Sequence, residues 1–169
     1  MNQILDVHGS PISPEWAAEF RGFFWGDGSI EINTLHRTRP DGTRWTGFRP
    51  RLRIGQRADN RAILDAIQAR LGGNVWQYKG HTMVSAANGR TYQSHPAFFY
   101  DITGTALVTR ALALLNNGLL PHSKQRQIAI MQEYMAMRPR PGGKYKPGDV
   151  EKVAALKQEL IDIRKYREP

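Results

Sequence analysis

The chain has 169 residues, 40% of them apolar, the length and content of one ordinary domain with a single buried core. Twenty-four Lys and Arg against fifteen Asp and Glu give a net charge of +9 and a pI near 10.2, which points to a polyanionic partner, nucleic acid ahead of an acidic membrane surface. The absence of cysteine excludes a disulfide, a thiolate zinc site and a cysteine nucleophile, so any metal would be held by oxygen or histidine.

Ser13-Pro14-Glu15 is a helix start, with Ser as N-cap, Pro at the first helical position and an acid in the first turn, and predicts a helix over 14–25. Strands over 29–39 and 46–57, separated by the turn RPDGTR, form a hairpin. Asp59 caps a helix with Ile63, Leu64, Ile67 and Leu71 on one side, ended by Gly72-Gly73. Two short strands, 74–79 and 97–102, are joined by a polar loop, and helices over 105–117 and 121–137 follow. RPRPGGKYKPG is a basic, proline-rich connector, and a last helix from Asp149 carries Val153, Leu156, Leu160 and Ile163 at helical spacing. The expectation is one α+β domain over 1–137, a connector at 138–148, and a helix within 149–169 packed on the same body. No apolar run approaches the roughly twenty residues that span a bilayer, and MNQILDVHGSP has neither the charge nor the apolar core of a signal peptide. A soluble, intracellular location without membrane contact is expected, in the cytoplasm, nucleoid or an organelle.

In FRPRLRIGQR, Arg49, Arg51, Arg53 and Arg57 share one parity while Phe48, Leu52 and Ile54 share the other, so one strand face is basic and one enters the core. Four arginines with no acid among them repel one another, which favours a DNA groove over a merely solvated face. The preceding strand sets Glu31, Asn33, Leu35 and Arg37 on one face, beside those arginines. In the first helix Ala18, Gly22 and Gly26 fall four residues apart, a stripe that admits a second helix to backbone contact. Mid-helix glycine costs about 1 kcal/mol against alanine. Packing within the chain and pairing with a second copy across a two-fold axis both account for the stripe, and the second explains the absence of large side chains. Asp27 then stands at the tip of the pair. Gly-Asp-Gly alone is a turn signal, but two carboxylates brought together by such an axis could share a hard divalent ion.

The nonapeptide Phe20-Arg21-Gly22-Phe23-Phe24-Trp25-Gly26-Asp27-Gly28 resembles the LAGLIDADG motif, with its third-place glycine, its apolar first, fourth and fifth places, its small seventh residue and its closing Asp-Gly. LRIGQRADNRAILDAIQARLGGNVW and LLPHSKQRQIAIMQEYM resemble the segments that follow it in single-motif LAGLIDADG homing endonucleases. The resemblance implies an αββαββα core with a curved antiparallel sheet and, here, extra C-terminal helices. It implies a homodimer, paired through Ala18, Gly22, Phe23 and Gly26, that cuts double-stranded DNA at a long pseudo-palindromic site and leaves 3′ overhangs. It further implies dependence on Mg²⁺ or Mn²⁺, with Ca²⁺ supporting binding without cleavage. By position, Asp27 matches the metal-binding acid and Gly26 the backbone carbonyl beside it. Gln56 matches a polar residue that orients active-site water, and Lys124 the basic residue near the scissile phosphate, supported by Gln127. Lys124 reads equally as a solvated lysine at a helix start. The implied DNA face takes in Glu31, Asn33, Arg37, Arg39, Arg49, Arg51, Arg53, Arg57, Gln77 and Lys79. Trp25 replaces an acid at sixth place and Arg21 occupies second place, neither at the metal ligand.

Another class also fits the basic sheet: a nucleic-acid-binding protein of this fold that does not cut, such as an intron maturase or transcription regulator. His81, Asn88 and His95 lack His-Asn-His nuclease spacing, and GTALVTR lacks the Gly-Lys-Ser/Thr ending of a Walker loop. His8, His36 and His122 have no acid or nucleophile at a telling distance. Arg138, Arg140, Lys144 and Lys146 in the connector are candidates for phosphate contact.

Overall fold

The computed structural model describes residues 3–38, 40–84, 89–116, 120–137 and 145–165. Ser13 caps the first helix, α1 (Pro14–Asp27), its hydroxyl accepting from the Trp16 amide at 3.2 Å. The helix runs past the expected Trp25 and takes in Gly26 and Asp27. The Gly28 amide donates to the Phe24 carbonyl and closes the last turn, where a Cβ on Gly28 would strike that carbonyl and the Phe24 ring. The first strand, β1 (Gly28–Thr38), therefore starts directly from the helix with no loop between.

After β2 (Arg44–Arg57) comes a single 3₁₀ turn at 58–60, then α2 (Arg61–Leu71). Asp59, expected to cap α2, lies within the turn and faces Arg57 at 3.9 Å; Asn60 is the N-cap residue and makes no side-chain cap bond. Leu64, Ile67 and Leu71 are buried as the spacing requires, each contributing about 1.5–3 kcal/mol. Ile63, expected with them, is 40% exposed and lines an apolar groove with Trp16, Phe20, Phe23 and Ala66. Positive φ at Gly72 (74°) and Gly73 (89°) ends the helix, and a Cβ on Gly73 would stand 2.6 Å from the Asp101 carbonyl oxygen.

The remaining elements are β3 (Asn74–Tyr78), β4 (Thr82–Val84), β5 (Thr91–Gln93), β6 (Ala97–Thr103), α3 (Thr105–Leu115), α4 (His122–Met137) and α5 (Asp149–Lys165). β4 and β5 pair as a small antiparallel hairpin where a polar loop was expected. Alternation there is too short to read, since each strand has three residues. The main sheet is four-stranded and antiparallel, in the order β1-β2-β6-β3. The class is α+β, as expected. No helix among the described residues is long and apolar enough to cross a membrane.

By its contacts the chain divides into two compact units, 1–29 with 53–102 and 30–52 with 103–169. The core of the first comprises Phe20 and Phe24 from α1, Ile54, Leu64, Ile67 and Leu71, with Tyr100 and Ile102 from β6. Tyr100 is fully buried, its hydroxyl donating to the Gly72 carbonyl at 2.8 Å, and burial pushes its pKa above the ordinary tyrosine value. The core of the second joins Ile30, Ile32 and Leu52 to Val108, Leu112, Ile130, Met131, Tyr134, Val153 and Leu160. In the connector, Tyr145 packs edge-on against Phe48, with centroids 5.9 Å apart, and the Lys146 amide donates to Asp149 at the start of α5. Arg138, Arg140 and Lys144 lie outside the described residues.

Candidate active site and nucleic-acid interface

In the first unit Asp27 is exposed at the end of α1, as the helix-to-strand junction dictates. Gln56, near the end of β2, donates from Nε2 to Asp27 Oδ2 at 2.6 Å, and its Oε1 accepts from Asn60 Nδ2 at 3.2 Å. Asn60 thus fixes the amide of Gln56, and Gln56 fixes the carboxylate. Asp27 and Gly26 are both exposed, and a Cβ on Gly26 would meet nothing within 4 Å. The Asp27 carboxylate and the Gly26 carbonyl are hard oxygen donors of the kind a divalent cation takes, so the residues fit one. Among the described residues no three His, Cys, Asp or Glu gather.

On the outward face of β2 in the same unit, Arg53 is held by Asp101 through Nε (2.7 Å) and Nη2 (2.9 Å). Its guanidinium lies 5.1 Å from the Trp76 ring centroid and 5.0 Å from that of Phe99, and Trp76 Nε1 donates to the same carboxylate at 3.0 Å. Trp76 pairs with Phe99, so Asn74, Trp76 and Tyr78 of β3 share the arginine face. Gln77 pairs with Phe98 and has the parity of the buried Tyr100 and Ile102. It was expected beside the arginines and stands on the opposite face, because the register with β6 sets the parity of β3. Lys79 follows the end of β3 and is exposed, and Arg57 is 87% exposed. His81 is engaged by Tyr78 and Ser94, and Asn88 lies outside the described residues.

In the second unit Glu31 accepts from Arg51 and, at 3.1 Å, from Arg164 Nη1 of α5. Asn33, with its amide turned to suit its neighbours, accepts from Arg51 Nε at 3.0 Å. The expectation that the arginines have no acid among them is therefore corrected. Glu31 from the adjacent strand and Asp101 from β6 each hold one of them. Arg49 is half-buried, with no hydrogen bond to its buried Nε among the described residues. Arg37 is exposed, and Arg39 lies outside the described residues. Lys124 stands in the first turn of α4; burial, and then the charge of Arg164, hold its ammonium below the usual lysine range. Gln127, one turn on, is 4% exposed, and its buried Oε1 has no hydrogen-bond partner among the described residues. Asn60, Asp101 and Arg164 drew no notice in the sequence. An acid at alternating parity opposite an arginine strand was the available signal for Asp101.

The fold is that of the LAGLIDADG homing endonuclease structures. The chain superposes on I-TnaI with a TM-score of 0.64 at 15% identity, covering 91% of this chain and 95% of that one. On I-CvuI the TM-score is 0.62 at 19% identity, covering 90% and 84%; that protein was crystallised with the I-CreI target in 2 mM Mg with DNA not cleaved, and with its own target in 2 mM Ca. On I-LtrWI bound to target DNA the TM-score is 0.59 at 14% identity, covering 88% of this chain but 44% of that one. Residues 20–101 match the family described as LAGLIDADG endonuclease. No curated protein matches it.

Proposed function

We propose that this protein is a site-specific double-strand DNA endonuclease, active as a homodimer with Mg²⁺ or Mn²⁺ and leaving 3′ overhangs. The observation that carries the reading is Asp27, an exposed carboxylate fixed by Gln56 at 2.6 Å where α1 passes into the sheet. Asp27 and the Gly26 carbonyl would hold the cation. When bound, that cation would polarise a phosphoryl oxygen and offset the charge that develops as the phosphodiester is cleaved. Asn60 and Gln56 keep the acid in one orientation, so little reordering is needed when DNA arrives.

Pairing of two chains is supported by α1. Ala18, Gly22 and Gly26 are all exposed, and a Cβ on either glycine would meet nothing within 4 Å in its own chain. A second α1 at that stripe would set one Asp27 beside each DNA strand. Arg49, Arg51 and Arg53 would enter the major groove, with Arg37, Arg57 and Lys79 on phosphates.

The test is to incubate the protein and Asp27→Asn with a randomised duplex library in Mg²⁺, Mn²⁺ and Ca²⁺ and to sequence cut and bound fractions. Staggered cutting of a near-palindromic site in Mg²⁺ or Mn²⁺, with binding alone in Ca²⁺ and by the variant, is expected. Cutting that survives Asp27→Asn would overturn the assignment of the acid. Binding without cutting by the parent in every metal would instead support a non-cleaving member of the family, and the same protein would then be tried on structured intron RNA.

A further inference from the structure

Trp76, Phe99, Arg53 and Asp101 form one cluster on the arginine-bearing face of the sheet, all within the first unit. The Trp76 and Phe99 rings stack with centroids 4.9 Å apart and 28° between their planes, and the Arg53 guanidinium lies against both. Asp101 closes the cluster, its Oδ2 accepting from Arg53 Nη2 at 2.9 Å and from Trp76 Nε1 at 3.0 Å. The Trp76 ring is thus held by a stacked neighbour, a cation and a hydrogen bond. Tryptophan is highly buried on average, yet this one is 38% exposed.

An indole has one polar hydrogen, and that of Trp76 is spent on Asp101. What the ring offers outward is therefore hydrocarbon. The major groove shows hydrogen-bond donors and acceptors at every base pair and a single apolar group, the C5-methyl of thymine. Arginine, asparagine and glutamine pair with the donors and acceptors, whereas a tryptophan whose donor is already satisfied gains from the methyl. Against guanine, adenine or cytosine the same ring would strip water from polar atoms and return no hydrogen bond. The preference has an attractive part and a repulsive one.

We propose that Trp76 is a specificity-determining residue that reads the C5-methyl group of one thymine in each half-site, its ring held by Phe99, Arg53 and Asp101. The inference rests on the endonuclease reading, which sets this sheet face in the major groove, and deepens it by naming a base. The same group separates DNA from RNA, since uracil lacks the methyl.

The test starts from duplexes that the full chain selects from a randomised library in Ca²⁺. Each thymine of the selected site is replaced in turn by deoxyuridine, which removes the methyl and keeps the base pairing. Kd is then measured for the parent, Trp76→Gln, Trp76→Thr and Trp76→Phe, with melting temperatures recorded. At one position in each half-site the parent is expected to bind uracil about fourfold more weakly than thymine. Trp76→Gln keeps an N–H donor for Asp101 and Trp76→Thr keeps strand propensity, so a folding failure of one leaves the other. Both should bind the two bases equally at that position, and Trp76→Phe should recover the discrimination. A uracil penalty that is absent at every position in the parent, or that persists in the folded variants without a ring, would overturn this inference alone and leave the endonuclease reading standing. A parent that selects no duplex would overturn both.

Discussion

Asp27 and Lys124 carry opposite charges in opposite surroundings, and the difference is measurable. Asp27 is exposed; Lys124 is held below its ordinary value of 10.5 by burial and by Arg164. A depressed lysine means that the unfolded chain binds the proton more readily. The penalty is complete below the folded pKa and disappears as pH rises from there through 10.5. Lys124→Met is accordingly expected to abolish cleavage while raising the melting temperature at pH 7. The difference from the parent should shrink as pH rises through that window, as calorimetry at neutral and alkaline pH would read. A lower melting temperature at pH 7 would show that the lysine supports the fold. The arginines separate in the same way. Arg53→Ala removes two hydrogen bonds from the 15%-exposed side chain of Asp101 and should cost roughly 1–3 kcal/mol of stability along with DNA affinity. Arg49→Ala removes a buried Nε with no partner and should weaken DNA binding with the melting temperature held. Denaturant melts and duplex binding on the two variants check this, and equal losses of stability would contradict it.

α1 divides its side chains between the core of its own chain and solvent. Phe20 and Phe24 fill the core from one side, while Ala18, Gly22 and Gly26 present the other to solvent. Gly22→Leu meets no atom within 4 Å of its Cβ, and the substitution gains up to about 1 kcal/mol in helix propensity. Melted at concentrations where the chain is monomeric, the variant should be as stable as the parent or more so. It should sediment as a monomer where the parent is a dimer, and cut nothing. A dimeric Gly22→Leu would sink the pairing through α1. The helix start, the Gly72-Gly73 stop and the parity of β2 were legible in the sequence because each depends on neighbours within a turn or two residues. The acids that hold the arginines were not, because Glu31 lies 20 residues from Arg51 and Asp101 lies 48 from Arg53. Parity says which way a side chain points, whereas register says whom it meets. Gln77 was misplaced for the same reason, its face being set by pairing with Phe98. Of the candidate site, Asp27 and Gln56 were legible through the motif and the strand, while Arg164, 133 residues from Glu31, was hidden by distance along the chain.

A net charge of +9 gives each chain long-range attraction to DNA, yet attraction does not cut two strands. The chain holds one Asp27 at the end of α1, and no cluster of three or more potential metal ligands exists among the described residues. I-LtrWI is matched over 44% of its length by 88% of this chain, so a relative of that size has room for two such folds in one polypeptide. If this chain cuts DNA as the proposed homodimer, double-strand cleavage must depend on concentration. Dilution below the dimer dissociation constant should reduce specific activity in proportion to the remaining dimer. Joining two copies through a flexible Gly/Ser linker would replace that with an effective concentration in the millimolar range, and dilution should then have little effect. Within the fusion, Asp27→Asn in one half alone should leave duplex binding intact and stop linearisation of a plasmid target, because only one acid would remain for two strands. Agarose electrophoresis of plasmid at matched enzyme concentrations reads both effects. Linearisation by the unfused chain at a rate per molecule that does not fall on dilution would mean that a single copy completes the site.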